Sequence, residues 1–436
     1  MRNPWSLYSK SPYSLLTRRL CLTSSLSKPP ILTPFRTVVS SAKWTSAPRL
    51  FPTSGFKLLD PSCSIEEETL PTYSPEKYYP VDQGEIFNDR YQALAKVGFG
   101  VTSTVWFARD LVESTYVILK IYVSGQGREH ELNIYKHLDS IETDHPGKKY
   151  VRSLVDHFYV DGSQHRHLCL VHKPLGINAS ELLQFRSENK MTLEDMKPAI
   201  RQLLGAVDYL HSIAHLIHTD IQLKNLLLPA PSHAALVDFE ERQVNSPAAR
   251  KVLGDRKIYA TSHFPAGDGL PLLGDLGEAR FGDEENCDNI MPDYYRAPEV
   301  ILKSNWSYKV DIWSVAMVAW DIVSPNTVIQ GQVRDGIFDD GVHIAELVAL
   351  LGPPPLEFLK NVHMSWVFWD ESGNWKNLVP IPDRNFEKLA ATIRGEDVDG
   401  FLRWLRLALQ WNPDDRPTAL DLLMDPWLMR GLTMKS

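Results

Sequence analysis

The tract that most constrains this chain is His218-Thr-Asp-Ile-Gln-Leu-Lys-Asn225, which is followed far downstream by Gly274-Asp275-Leu-Gly. Asp220 and Asn225 lie five residues apart, and Asp275 lies on a glycine-containing turn. This arrangement is typical of phosphoryl-transfer sites, in which one carboxylate orients the attacking hydroxyl while the amide oxygen and the second carboxylate bind Mg²⁺. We therefore expect Asp220 to act on the hydroxyl, and Asn225 and Asp275 to be metal ligands.

Length and composition set the class of protein. At 436 residues the chain is longer than one average domain, and its apolar fraction of 43% is ordinary for a globular protein. No run of eighteen apolar residues occurs, so no membrane-spanning helix is expected. The four cysteines are scattered and form no Cys-x-x-Cys pair, which argues against a zinc site or a disulfide framework. We expect two lobes, or a domain plus a tail, in a monomer without a membrane partner.

Charge divides the chain into two unequal parts. Residues 1–59 contain nine Lys or Arg and no Asp or Glu, whereas the remainder has 37 basic and 54 acidic residues, a net charge of −17. An acid-free, Ser- and Arg-rich start is typical of a mitochondrial presequence, and a disordered basic extension is the alternative. In either case we expect 1–59 to lie outside the fold, followed by a linker over 60–87.

The acidic remainder suits a basic macromolecular substrate and argues against nucleic acid as a direct partner. Simple solubility explains the same charge equally well.

Residues 91–108 indicate a strand, a glycine turn and a second strand. Glycines let the backbone approach phosphates where a side chain would collide. A lone Gly-x-Gly is usually a hairpin turn, but Val117-Ile-Leu-Lys120 follows at the interval expected of a lysine-bearing third strand. We expect Lys120 to neutralise the α- and β-phosphates of a nucleotide. The predicted nucleotide lid comprises Val97, Gly98, Phe99, Gly100, Ser103 and Val105.

Lys120 needs an acidic partner to orient it. Ile134, Tyr135 and Leu138 recur at helical spacing, and two acids precede them. Glu131 is our choice, and Glu129 is the alternative. Residues two positions apart on a helix cannot share a face, so only one of the two can face Lys120.

Two further segments frame the predicted site. Residues 168–176 indicate a buried strand that ends in a hinge, where backbone groups from Lys173 to Leu175 would pair with adenine. Residues 191–210 show a helical apolar stripe that leads into the catalytic loop. His211, His215 and His218 have spacings that metal ligands could use, but packing roles are more typical at such positions.

The later motifs indicate a platform for a macromolecular substrate. Tyr295-Arg296-Ala-Pro-Glu299 is followed by Val310-Asp311-Ile-Trp and then by Arg416. We expect Glu299 and Arg416 to form a buried, bidentate pair, which costs much free energy to break from one side. Asp311 would brace the catalytic-loop backbone, and Arg296 belongs to the same platform.

Taken in order, these motifs resemble the eukaryotic protein kinases of the CMGC group over residues 88–430. Within that group the chain is similar to the SR-protein kinase family, in a divergent form common among fungal sequences. The family-specific residues are Thr219 where most kinases carry Arg, Leu276 in place of Phe, and the lid sequence Gly-Phe-Gly-Val-Thr-Ser-Thr-Val-Trp106. The tract beginning at Trp306 and the later tract beginning at His343 match as well.

The resemblance implies an α+β bilobal fold, with a β-rich small lobe over 88–175 and a mainly helical large lobe over 176–430. It also implies ATP and Mg²⁺ as cofactors and phosphorylation of Ser or Thr, with Arg-Ser-rich splicing factors as substrates. Those substrates place the protein in the cytoplasm or nucleus, which conflicts with a mitochondrial presequence. One of these two inferences is wrong.

Gln222 is the main departure from the kinase pattern, because a lysine that touches the γ-phosphate usually stands there. Loss of that charge weakens transition-state stabilisation by about 2–4 kcal/mol if nothing compensates. Lys224 either reaches in as a substitute or is a solvated loop residue, and the sequence leaves both open. The departure motivates an alternative function, an ATP-binding pseudokinase scaffold with weak or no catalysis.

The activation segment departs from regulated kinases in two ways. From Asp275 to Glu299 it contains no Ser or Thr, and the Arg that normally reads an activation-segment phosphate is replaced by Thr219. Both features predict an enzyme that needs no activating phosphorylation.

Residues 229–270 are an insertion, since 49 residues separate Asn225 from Asp275. A functional loop and a floppy excursion are both compatible with that length. Asp335, Asp339 and Asp340 lie where the family keeps an acidic groove for Arg-rich peptides, but Val342 stands at the position of an expected Asp. A solvated acidic loop is the favoured interpretation.

Overall fold

The computed structural model describes residues 44–125, 127 and 129–431. A six-stranded antiparallel sheet forms the small lobe, with the strand order β1-β2-β3-β4-β6-β5. Its strands are β1 (Ile86–Phe87), β2 (Tyr91–Phe99), β3 (Ser103–Asp110), β4 (Thr115–Tyr122), β5 (Asp156–Asp161) and β6 (Arg166–His172). The predicted strand-turn-strand, the lysine-bearing strand and the buried strand before the hinge are therefore confirmed.

Alternation along β4 separates the two faces of this sheet. Ile118 and Lys120 lie on one side, here called the cleft face, whereas Leu119 and Ile121 lie on the other, here called the outer face. Helix α1 (His130–Ser140) follows β4 and buries Glu131, as well as Ile134, Tyr135 and Leu138 of the predicted stripe.

The remaining elements build the large lobe and its insertion. In chain order they are α2 (Ala179–Gln184), α3 (Leu193–Ser212), β7 (Leu216–Ile217), β8 (Leu226–Leu227), α4 (His233–Asn245), β9 (Arg250–Leu253), β10 (Arg256–Tyr259), β11 (Leu272–Leu273), β12 (Arg280–Phe281), α5 (Pro298–Ile301), α6 (Lys309–Val323), β13 (Val333–Arg334), β14 (Ile337–Phe338), α7 (Asp340–Leu351), α8 (Leu356–Asn361), α9 (Ser365–Phe368), α10 (Phe386–Leu389), α11 (Val398–Ala408), α12 (Ala419–Leu423) and α13 (Pro426–Met429).

Helix α6 is the centre of the large lobe. Nearly all of its side chains are buried, which is the expected pattern for a helix enclosed on every side. Helix α3 packs against it, and the Thr192 hydroxyl caps the start of α3 by accepting from the Asp195 amide. The predicted α+β bilobal architecture is confirmed.

Two short antiparallel pairs hold the catalytic loop. Strand β7 pairs with β12, and β8 pairs with β11. Residues 218–225 lie between β7 and β8, and Asp275 lies between β11 and β12. These pairings therefore bring Asp275 next to Asp220 and Asn225 despite their separation in sequence.

The insertion is an ordered strap across the small lobe, so a floppy excursion is the wrong interpretation. Its two ends meet at the hinge, where a Cβ on Gly176 would lie 2.8 Å from the Gly267 nitrogen and 3.0 Å from the Pro229 carbonyl oxygen. Phe239 of α4 packs edge-on against Phe107 on the cleft face, while Tyr259 of β10 packs against Trp106 on the outer face. Apolar burial on both faces of the sheet explains why the insertion is folded.

The expectation that all of 1–59 lies outside the fold is wrong for residues 44–59; residues 1–43 lie outside the described residues. The Thr45 amide donates to the Leu111 carbonyl, and the Leu59 amide donates to the Arg250 carbonyl. The segment thus lies against the small lobe and the insertion hairpin. Among the described helices, none combines the length and apolarity needed to cross a bilayer.

Candidate active site

The catalytic loop gathers two side-chain amides around the carboxylate of Asp220. Asn225 Nδ2 donates to Asp220 Oδ2 and to the Asp220 carbonyl oxygen, both at 2.8 Å. Gln222 Nε2 donates to Asp220 Oδ1 at 2.7 Å. Burial raises the pKa of Asp220 to about 7, and the negative charge of Asp275 acts in the same direction. A carboxyl group with a pKa near neutrality is poised to exchange a proton with a substrate hydroxyl.

Lys120 links the small lobe to this loop. Its ammonium group lies 2.7 Å from Glu131 Oε2 and 2.8 Å from Asp275 Oδ1. Burial opposes the charge of Lys120, but the two carboxylates outweigh that effect and raise its pKa. In turn, the Lys120 ammonium lowers the pKa of Asp275 to about 2. Lys120 and Asp275 are therefore both charged at neutral pH, whereas burial raises the pKa of Glu131.

Glu131, rather than Glu129, is the acid that the structure brings to Lys120. The Glu131 side chain is almost completely buried and also accepts from the Tyr122 hydroxyl. Glu129 instead accepts from the Tyr159 hydroxyl on β5.

A single carboxylate organises the backbone of the catalytic loop. Asp311 Oδ2 accepts from the His218 amide at 2.7 Å, and its Oδ1 accepts from the Thr219 amide at 2.9 Å. His211 Nε2 lies 2.9 Å from the same carboxylate. Thr219 adopts a left-handed φ of 65°, a conformation that a threonine keeps only where its surroundings impose it.

The lid residues form the turn between β2 and β3. Gly98 stands opposite Val105 in the strand register, and the Gly100 amide closes the turn on the Ser103 carbonyl at 2.8 Å. Val97 and Val105 pack against the apolar cluster on the cleft face, whereas Phe99 is half-exposed at the tip of the lid.

The hinge residues lie beside a cavity of about 730 Å³ that is separate from these charged groups. Lys173, which is exposed, and Leu175 line it together with Val151, Arg152 and Leu272. Among the described residues, those that line this cavity include no lid residue and neither Lys120 nor Asp275.

The comparisons with known proteins agree with this geometry. The family model described as protein kinase domain matches residues 91–428. The chain belongs to the protein kinase family. A serine/threonine protein kinase of Aspergillus fumigatus is 39% identical over 392 residues, which cover 88% of this chain and 96% of that protein.

More distant relatives have names that specify a narrower class. The serine/threonine-protein kinase SRPK of Physarum polycephalum is 27% identical, over 83% of this chain and 91% of that protein. The SRSF protein kinase 3 of Mus musculus is 21% identical, over 83% of this chain and 90% of that protein. The chain is a serine/threonine protein kinase that resembles the SR-protein kinases.

Hydrogen bonds from unphosphorylated residues hold the activation segment of the kinase in place. The Thr219 hydroxyl donates to the Glu278 carbonyl at 2.7 Å, and β12 adds backbone pairing to β7. His130 Nε2, at the start of α1, lies 2.6 Å from the Ala279 carbonyl oxygen. The segment is therefore bound both to the catalytic loop and to the helix that carries Glu131.

The predicted platform residues also come together. Arg416, fully buried, donates from Nη1 and Nη2 to the two oxygens of Glu299, each at 2.7 Å. Arg296 pairs with Asp293 at 2.6 Å and with Asp340 at 3.4 Å. The guanidinium groups thus anchor both ends of the segment around Ala-Pro-Glu299.

The three acids of the later loop have separate surroundings. Asp335 is exposed in the β13–β14 turn with a φ of 50°. Asp339 caps α7 by accepting from the Gly341 and Val342 amides, and Asp340 pairs with Arg296. Two of the three carboxylates therefore have internal partners.

Sequence reasoning missed two contacts at this site. The sequence marked Gln222 only as a residue at the position of a usual lysine. Its position two residues after Asp220 allows the side-chain amide to reach that carboxylate. Tyr78 lies outside every motif, and no sequence signal marked its contact with the lid.

Proposed function

We propose that this kinase transfers the γ-phosphate of ATP to Ser in Arg-Ser-rich, basic proteins, and that it needs no activating phosphate. The observation that carries the proposal is the joint position of Asp220, Asn225, Asp275 and Lys120 beside an activation segment held by Thr219. The names of the relatives and the acidic charge of residues 60–436 support the substrate class.

In the proposed mechanism Asp220 accepts a hydrogen bond from the substrate hydroxyl and takes its proton as the phosphate is transferred. Gln222 and Asn225 hold the carboxylate by one amide on each of its two oxygens. Lys120 is oriented by Glu131 for the nucleotide phosphates. The pKa of Asp220 near 7 means that burial favours proton uptake.

The oxygen donors near Asp220 fit Mg²⁺. Because Asn225 Nδ2 is engaged by Asp220, the side-chain carbonyl oxygen of Asn225 remains for a cation, beside the ionised carboxylate of Asp275. Hard oxygen ligands of this kind are those that magnesium prefers. The ion would neutralise charge on the phosphates of ATP.

Lys224 is proposed to supply the positive charge that Gln222 lacks. It is exposed on the turn Leu223–Asn225, directly after Gln222, and its long flexible side chain can approach the transferred phosphate. Loss of a catalytic lysine from such a site lowers kcat about a hundredfold.

The test is phosphate transfer by the full chain made in bacteria, with labelled ATP and Mg²⁺. Acceptors are an Arg-Ser repeat peptide and an Arg-Ala repeat peptide with one Ser outside any Arg-Ser context. The enzymes are wild type, Asp220→Asn, Lys224→Ala and Lys224→Arg. We expect transfer to the Arg-Ser peptide that is lost in Asp220→Asn, falls about a hundredfold in Lys224→Ala and persists in Lys224→Arg.

Each other outcome removes a defined part of the proposal. Equal transfer to both peptides would discard the Arg-Ser preference. Full activity of Lys224→Ala would make Lys224 a solvated loop residue. Activity that appears only after an upstream kinase is added would contradict independence from activation, and nucleotide binding without any transfer would indicate a scaffold.

A further inference from the structure

The tip of the nucleotide lid is held by a tyrosine from the segment that precedes β1. The Tyr78 hydroxyl donates to the Gly100 carbonyl oxygen at 3.0 Å. Its side chain is buried, with 4% exposed, and its ring packs 5.1 Å from that of Tyr73. The Gly100 amide is engaged as well, by the Ser103 carbonyl. Both polar backbone groups of Gly100 are therefore fixed.

Tyr78 approaches the lid from the outer face of the sheet. The neighbouring residues Tyr79 and Val81 pack with the outer-face cluster that contains Leu119 and Ile121. Arg256 of the insertion hairpin donates to the Tyr78 carbonyl at 3.0 Å, which holds the segment in place. Lys120 and the proposed phosphate site lie on the opposite face.

The geometry of the peptide group transmits this contact to the cleft. In a trans peptide the C=O of one residue and the N–H of the next point in opposite directions. Because the Gly100 carbonyl oxygen points to the Tyr78 hydroxyl, the Val101 N–H points away from Tyr78. That N–H has no hydrogen-bond partner in the described part of the chain. Backbone N–H groups presented in this way on a turn bind phosphate oxygens.

We propose that Tyr78 is a positioning residue, which acts through the Gly100–Val101 peptide to present the Val101 N–H to the phosphates of ATP. This proposal rests on ATP as the nucleotide of the proposed function, but it does not depend on the identity of the protein substrate. Tyr78 touches neither ATP nor the reacting hydroxyl, so its removal should weaken recognition of the phosphates alone.

The experiment compares nucleotide affinities of the full chain by titration calorimetry with Mg²⁺. The ligands are adenosine and a non-hydrolysable ATP analogue, and the variants are Tyr78→Phe and Tyr79→Phe. Tyr78→Phe removes only the hydroxyl and keeps the ring. Tyr79→Phe is the matched control, since the Tyr79 hydroxyl donates to Glu85 Oε1 at 2.6 Å and not to the lid.

We expect Tyr78→Phe to lower the affinity for the ATP analogue about fivefold, as for the loss of one hydrogen bond, and to leave the affinity for adenosine unchanged. Tyr79→Phe should change neither the affinity for the ATP analogue nor the affinity for adenosine. Equal weakening of both ligands would show a merely structural role and overturn the proposal, as would unchanged affinity for the analogue. Wild type that binds the analogue no better than adenosine would instead contradict the proposed use of ATP.

Discussion

Arg416 and Glu299 show how much of the large lobe depends on two residues. Both are buried, and Arg416 also donates to the carbonyl oxygens of Gln410 and Lys309. Removal of one partner leaves a buried charge without compensation. We expect Arg416→Met and Glu299→Leu each to lower the free energy of unfolding by about 3–5 kcal/mol, measured by denaturant titration.

The double variant decides whether the pair itself is responsible. Its cost should be smaller than the sum of the two single costs, because no buried charge is left behind. Arg406→Met is the comparator, since Arg406 pairs with Glu387 on the surface, with 42% and 60% of the side chains exposed. That change should cost no more than about 1 kcal/mol. Additive costs in the double variant would contradict the argument.

At the scale of elements, the insertion stabilises the small lobe by packing on it. Phe239 of α4 is 1% exposed and contacts Phe107 and Phe264, while Glu240 accepts from Arg109 and Tyr116. We expect Phe239→Ala to lower the free energy of unfolding by about 3–5 kcal/mol. Amide hydrogen exchange should rise in both α4 and β2, because the two elements protect each other.

Phe185→Ala is the matched control for this prediction. It makes the same change at a residue that is 79% exposed, and it should alter stability by no more than about 0.5 kcal/mol. Faster exchange confined to α4 in Phe239→Ala, without any effect on β2, would show that the insertion does not support the sheet.

At the scale of the whole molecule, the acidic charge of residues 60–436 should steer basic substrates. Exposed charges act over a Debye length, about 8 Å at physiological ionic strength, and salt weakens them. We expect kcat/KM for an Arg-rich peptide to fall about tenfold between low and high salt. A peptide with the same acceptor Ser but neutral flanks should change much less; equal salt dependence for both peptides would show that charge steering is absent.

The fold and the charged site could be predicted from the sequence, because they depend on short motifs whose residue types and spacings can be read directly from it. The order of the motifs carried the resemblance to protein kinases, and that resemblance predicted the bilobal architecture, which is confirmed. Lys120, Asp220, Asn225 and Asp275 were selected because their side chains have few other uses at such spacings. The exact roles of these residues stay predictions.

The rest depended on contacts between segments far apart in the chain. Local patterns favoured Glu131 but left Glu129 open, since only the packing of α1 decides which carboxylate faces Lys120. Nor could they show that residues 44–59 and 229–270 fold onto the small lobe, because the partners of these segments lie on the finished sheet, far away in the sequence.

The sequence by itself determined the family, the class of chemistry and the absence of an activating Ser or Thr, because each depends on which side chains are present and in what order. Only the tertiary structure decided that Gln222 holds Asp220, that the insertion is a strap, and that Tyr78 reaches Gly100. Those contacts join residues through hydrogen bonds and apolar burial that arise only once distant segments have been brought within a few ångströms of one another.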